Sequence, residues 1–271
     1  RGIMTISGTN TIQNNTVRNI TTYSKQNPFG SNSSLAGISQ TSNYANQTVS
    51  GNTVYSLSNL TVDNKIEIYG IYYSGPTTGT NSIAGNFIHS LTTSSTNTGC
   101  YINGIVLNGG TVTTANNIIN IGKDINTGFY INGIQDETGT NSIYFNTIYI
   151  GGSSVSGTTN NTCALLSKQS NTTRNFRNNI LNNSRSGGTG GNHYAIRIGG
   201  TTNLTIDYND YYANGIGGII GYYVTNKTTL ADWKTATGQD VNSLNLNPNF
   251  SNAGGTMPQN YFTNEALNGT S

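Results

Sequence analysis

Acid–base or metal chemistry needs carboxylates, imidazoles or thiols brought together. This chain is sparing with all of them, holding ten Asp and Glu, two His and two Cys in 271 residues. The best local acid group is Asp207 and Asp210 with Arg197, a combination that a polysaccharide lyase or glycoside hydrolase would use at a glycosidic linkage. Neighbouring repeats carry Thr, Asn or apolar residues at the equivalent positions. No carboxylate cluster accumulates, and turn-capping or solvated Asp is the favoured reading. Asp136-Glu137 and Asp63 with Glu67 are weaker candidates, and His89 and His193 stand alone without metal-ligand spacing. The run Gly187-Gly188-Thr189-Gly190-Gly191 reads as a turn rather than a phosphate loop. We expect no catalytic residue, no metal and no cofactor.

One charge asymmetry does point to a partner. Between Glu137 and Asp207 there is no acid, while Lys168, Arg174, Arg177, Arg185 and Arg197 all fall there. Stacked repeats would gather these into a positive band suited to an acidic polysaccharide or a negatively charged neighbouring subunit, although a solvated face is the blander account. Tyrosines at 69, 72, 73, 101, 130, 194, 208, 211, 212, 222 and 223 are expected chiefly to pack, with outward ones free to meet sugars. The net charge of +2 calls for no nucleic acid. No apolar run reaches the ~18 residues of a membrane span.

The elements that must position these residues are set by a repeat. Gly is abundant, Ser and Thr make up about a quarter of the chain and Asn about a sixth, whereas only 8% is charged. That mixture suits many short strands joined by polar turns. A pattern of apolar-x-x-Asn-x-apolar returns at Asn15, Asn52, Asn86, Asn116, Asn146, Asn178 and Asn209. The leading apolar residue is lost in two copies, where Thr113 and Asn175 stand. A second column, Gly37-Ile38, Gly70-Ile71, Gly104-Ile105 and Gly133-Ile134, keeps step and continues as Ala164-Leu165 and Ala195-Ile196. The segments Tyr101–Ile105 and Tyr130–Ile134 repeat almost verbatim.

Two columns in register with a period of about 30 to 37 residues predict a solenoid. Apolar residues alternate rather than recurring at helical spacing, so the expected fold is an all-β, right-handed parallel β-helix of about seven coils. Coils stacked ~4.8 Å apart would give a rod of about 30 Å. The anchoring Asn residues are read as a structural ladder, because a side-chain amide both donates and accepts at a bend. Cys100 and Cys163 fall two coils apart, beyond disulfide reach, so two free thiols are expected. Ser74–Thr80, Gly151–Thr159 and Ser184–Asn192 are expected to project as loops.

Residues 1–228 are assigned to the coils and 229–271 to a cap and the start of an extension. Thr229 and Asp232 predict a capped helix over Leu230–Thr237 with Gly238 as its stop, and Leu230 and Trp233 as the apolar lid on the last coil. The run Asp207-Tyr208-Asn209-Asp210-Tyr211-Tyr212, then Leu230-Ala231-Asp232-Trp233-Lys234-Thr235-Ala236-Thr237-Gly238-Gln239-Asp240, then Asn247-Pro248-Asn249-Phe250 resembles the close of a right-handed parallel β-helix region in large secreted proteins of Bacteroidetes-type bacteria. The likeness covers roughly residues 116 to 271. It implies export from the cell, further β-rich domains and often a C-terminal sorting domain, with any secretion signal lying upstream of Arg1. It implies no particular activity.

Three functions are therefore expected in order. The first is a non-catalytic extracellular structural or adhesive protein, one that self-associates into a surface fibre. The second is an acidic-glycan-binding module using Lys168 to Arg197. The third is a polysaccharide lyase or hydrolase centred on Asp207 and Asp210.

Overall fold

The computed structural model describes residues 1–26, 29–158 and 161–262. Apolar residues alternating with Asn, Thr and Ser form short strands that pair in parallel with their equivalents one coil on, giving a parallel β-helix of about seven turns, with Thr225–Lys227 antiparallel to Gly218–Tyr223 at its end. Each coil presents up to three faces. A glycine face runs from Ile3–Thr5 through Leu35–Gln40 and Glu67–Tyr73 to Gly218–Tyr223. A short middle face starts at Thr11–Gln13 and ends at Leu204–Asp207, joined to the first through the long bent strands Tyr101–Ala115 and Tyr130–Tyr144. A seven-stranded ladder face runs from Thr16–Thr22 to Asp210–Tyr212.

The core is one continuous cluster of buried Ile, Val and Leu from all three faces. Register carries the middle-face column Ile12, Val49, Ile83, Thr114, Ile143, Phe176 and Ile206 along the rod. Across the core, the glycine column lies against β-branched residues. A Cβ on Gly104 would sit 2.5 Å from the Ile119 Cγ2 and 2.6 Å from the Gly133 carbonyl oxygen. The column changes to Ala164 and Ala195 where the ladder face, by register, offers Leu181 and Tyr211. Neither of these branches at Cβ, which explains why a methyl group is admitted there.

The ladder is an unbroken chain of buried amides. The main-chain N–H of Asn15 donates to Asn52 Oδ1 at 3.0 Å, and the same step recurs from Asn52 to Asn86, Asn86 to Asn117, Asn117 to Asn146, Asn146 to Asn179 and Asn179 to Asn209. From Asn52 to Asn179 each Nδ2 donates to the next Oδ1 and to a carbonyl of the preceding coil, such as Asn117 to Ile83 and Asn179 to Ile143. Every Oδ1 and Nδ2 inside the ladder is thereby satisfied. The last rung is Ser243, whose Oγ accepts from the Asn209 N–H at 2.9 Å.

Two assignments are corrected here. Asn116 and Asn178 are not rungs; Asn117 and Asn179 are. The residue before each rung is Asn14, Gly51, Gly85, Asn116, Phe145, Asn178 or Tyr208, and all seven hold φ between 54° and 64°. An Asn-Asn pair satisfies both requirements, the left-handed turn and the amide rung, so spacing alone could not separate its members. Within the span assigned to the coils, Gly218–Tyr223 adds the last parallel strand of the glycine face, beside His193–Ile198. Part of the expected loop Gly151–Thr159 is strand as well: Ser153–Thr158 pairs with Ser186–Thr189, while Thr159 lies outside the described residues. Cys100 and Cys163 are both free and buried, as expected.

The C-terminal end is closed. Thr229 caps the helix Leu230–Thr237 by accepting from the Asp232 N–H, and Gly238 ends it at φ 66°. Trp233 is buried on Gly221, whose missing Cβ makes room for the indole, while Leu230 packs at the core's edge. The Trp233 Nε1 donates to Asp240 at 2.7 Å, and the Tyr211 hydroxyl donates to the same carboxylate. Beyond this cap the chain turns back along the outer ladder face. Phe250 and Tyr261 pack on Tyr149, and Gly254 and Gly255 carbonyls accept from Lys123 and Asn120.

The corrected register gives a sharp contrast between adjacent residues. Asn117→Ala should destabilise by about 3 kcal/mol, since it strands buried donors and acceptors on both sides. Asn116→Gly should stay within ~0.5 kcal/mol, because glycine already holds that turn in two coils. Urea denaturation of the two variants checks this, and equal losses would refute the register.

Candidate functional site

The outer side of the glycine face carries the most developed surface feature. The repeated Tyr-Ile-Asn-Gly-Ile segments place Ile102, Ile105, Ile131 and Ile134 in the core and turn Tyr101, Asn103, Tyr130 and Asn132 outward. Register puts Tyr101 beside Tyr130, and the rings stack with centroids 4.4 Å apart. The next column runs Asn103, Asn132, Cys163, Tyr194, and a third runs Val106, Gln135, Leu166, Arg197, Tyr222. Together they line a cleft of about 500 Å³ walled by Tyr101, Tyr130, Leu166, Lys168, Arg197 and Tyr222, with Asn132 and Cys163 among its other lining residues.

Polar groups under this cleft are tied together. Asn132 Nδ2 donates to Asn103 Oδ1 and to Gln135 Oε1, both at 2.8 Å, and Gln135 in turn donates to Glu137. Glu137 holds Lys168 in an ion pair at 2.5 Å. Lys168 also lies 5.8 Å from the ring of Phe29, which belongs to a loop covering Tyr69 on the earlier coils. Burial pushes the Cys163 thiol up to about 12, so it is protonated and unreactive at neutral pH.

The five basic residues do not form the expected band. Arg174 is buried and donates to the carbonyls of Thr172, Gln169, Gly200 and Thr202. Arg185 is buried too, donating to carbonyls of Gly122, Ile125 and Thr127 in one earlier coil and Gly151 in the next, and burial brings its guanidinium down to about 10. Both arginines satisfy carbonyls left unpaired where strands end, a demand that charge spacing in the sequence does not reveal. Arg177 lies next to Asp207 in register. Only Lys168 and Arg197 reach the cleft. The Arg197 guanidinium sits 4.7 Å from the Tyr222 ring centroid.

The acid group also comes apart. Asp207 accepts from the N–H of Tyr208 and from both the N–H and Nδ2 of Asn242. Partial burial works the other way, yet these bonds and Arg177 hold its carboxyl below the usual range. Asp210 is buried on the ladder face and accepts from the Leu246 N–H at 2.9 Å. Arg197 is on the glycine face, facing Tyr222 rather than either acid. Asp136 proves to be a core residue, accepting from Ser167, Gln169 and Asn141, with burial raising its carboxyl against those bonds and nearby Arg174. His193 is likewise structural, bridging Thr162 Oγ1 and the Gly187 carbonyl. Among the described residues no group of three His, Cys, Asp or Glu could hold a metal, and no helix is long and apolar enough to cross a membrane.

The cleft was missed at the level of sequence, although its signal was present. The two near-verbatim segments repeat their outward Tyr and Asn as faithfully as their inward Ile, which packing alone does not require. No protein-family model, curated protein or solved structure matches the chain.

Asp210 gives this region a pH dependence. Burial raises its carboxyl to about 6, opposed by the Leu246 N–H. The folded protein therefore holds this proton more tightly than the unfolded chain, and stability falls as pH rises from about 4 through about 6. Asp210→Asn, which keeps an acceptor for Leu246, should match the wild type near pH 4 and exceed it at pH 7.5 by up to ~3 kcal/mol. Denaturation midpoints at the two pH values test this, and a less stable variant at pH 7.5 would contradict it.

Proposed function

We propose that this protein is a non-catalytic, extracellular adhesive rod that holds a saccharide chain along the outer glycine face. The observation that carries this reading is the cleft itself. Stacked tyrosine rings, apolar Leu166 and two cations line it, the mixture of flat apolar faces and convergent polar groups that ligand sites use. The residues known to line it include no Asp or Glu. Asp207, Asp210 and Asp136 each accept hydrogen bonds within turns, cap or core, which favours binding without cleavage.

Work outside the cell is supported by the composition and by the likeness of residues 207–250 to exported β-helix proteins. Assembly by stacking rod on rod is less favoured than adhesion, because Trp233 and Ser243 close the core and the amide ladder at the C-terminal end. A rigid rod that presents one open cleft on its flank suits attachment.

The test is biolayer interferometry against a panel of neutral and acidic polysaccharides, followed by assay of the same mixtures for new reducing ends and unsaturated products. Binding of at least one polymer is expected, weakened tenfold or more by Tyr130→Ala, with no cleavage products. Chain scission, or no binding across the panel, would overturn the proposal.

A further inference from the structure

Resting on the reading that the cleft holds a saccharide, we infer that its ligand is a polymer of uronic acid, with Arg197 as the carboxylate anchor and the open face of Tyr130 as the platform for a sugar ring. The first support is a contrast among arginines. Arg174 and Arg185 are buried with their terminal guanidinium nitrogens engaged by main-chain carbonyls. Arg197 lines the cleft with no hydrogen bond or ion pair among the described residues, only the Tyr222 ring at 4.7 Å. That contact holds the guanidinium beside the ring, and no described residue takes its N–H groups. A planar fork held this way matches a carboxylate through two parallel hydrogen bonds.

The second support is where the tyrosine stack ends. Lys65 Nζ lies 5.5 Å from the Tyr101 ring, and Tyr130 stacks on Tyr101. Register advances next from Ile131 to Thr162, so the position after Tyr130 belongs to Asn161, which also lines the cleft. The column thus passes from ring to amide at the cleft. A sugar laid on Tyr130 continues the stack, with C–H groups on the ring and hydroxyls toward Asn132 and Asn161. Charge favours the same ligand: Lys168 at the cleft is paired with Glu137, whereas Arg197 there has no ion pair among the described residues. An anionic polymer meets attraction there, whereas a neutral one would leave Arg197 without a partner.

The experiment is isothermal titration calorimetry of the full chain with polygalacturonate and with the same polymer after carboxyl reduction, which keeps the chain and removes the charge. The polyuronate should bind at least tenfold more tightly, and its affinity should fall with added salt. Arg197→Gln should abolish the difference between the two polymers, and Arg197→Lys should restore only part of it. The Arg197 side chain makes no hydrogen bond among the described residues, and the comparison on the unaltered protein needs no variant at all. Equal binding of both polymers, lost in Tyr130→Ala, would overturn the charged ligand while leaving a glycan-binding rod. Binding of dextran sulfate without polygalacturonate would overturn the carboxylate. If no polymer binds, this inference and the reading beneath it both fall.

Discussion

At every coil of this rod the chain turns a corner inside its own core, where main-chain N–H groups leave one strand ladder before they can join the next. Buried without partners, each would cost more than any single side-chain contact returns. The asparagine ladder removes that penalty. Each inner amide accepts both the main-chain N–H and the Nδ2 of the preceding rung, then donates to the next rung and to a carbonyl behind it. The bonds run along the axis, so they also fix the coil-to-coil register. The left-handed turn before each rung, the Ile and Val columns and the glycine column all depend on that register.

Constraint on the inside frees the outside. With Ile and Gly fixed at alternating positions, the outward positions of the same segments can vary with little effect on folding, and there the chain becomes specific. On the glycine face these positions build tyrosine stacks, an amide network and a placed guanidinium. On the ladder face the returning C-terminal segment covers Asn120 and Tyr149. The rod therefore has one flank covered by its own chain, one end sealed by Trp233, and one furnished cleft in view. Its buried arginines belong to the frame: they tie carbonyls of successive coils together as the ladder does.

Much of this was legible in the residues. The repeat, the parallel stacking, five of the seven rungs, the capped helix and the free thiols follow from spacing and elementary geometry. The two misplaced rungs show where spacing runs out, and also what would have corrected it. Placing the anchors at Asn116 and Asn178 put Thr113 and Asn175 in the apolar column. A shift of one residue restores Phe176 before Asn179 and puts buried Thr114 before Asn117. The basic band failed for another reason. A one-dimensional charge count does not say which side chain turns inward, although Arg174 shares its column with Leu204, a hint of burial. The cleft escaped notice because its parts come from five coils and meet only once register is fixed.

Side-chain hydrogen exchange measures the ladder most directly. In an NMR exchange experiment, the Nδ2 protons of Asn52, Asn86, Asn117, Asn146 and Asn179 should exchange only as the rod unfolds. Those of exposed Asn116 and Asn178 should exchange at the rate of free amides. Protection at Asn116 and Asn178, or rapid exchange at the five rungs, would contradict the account.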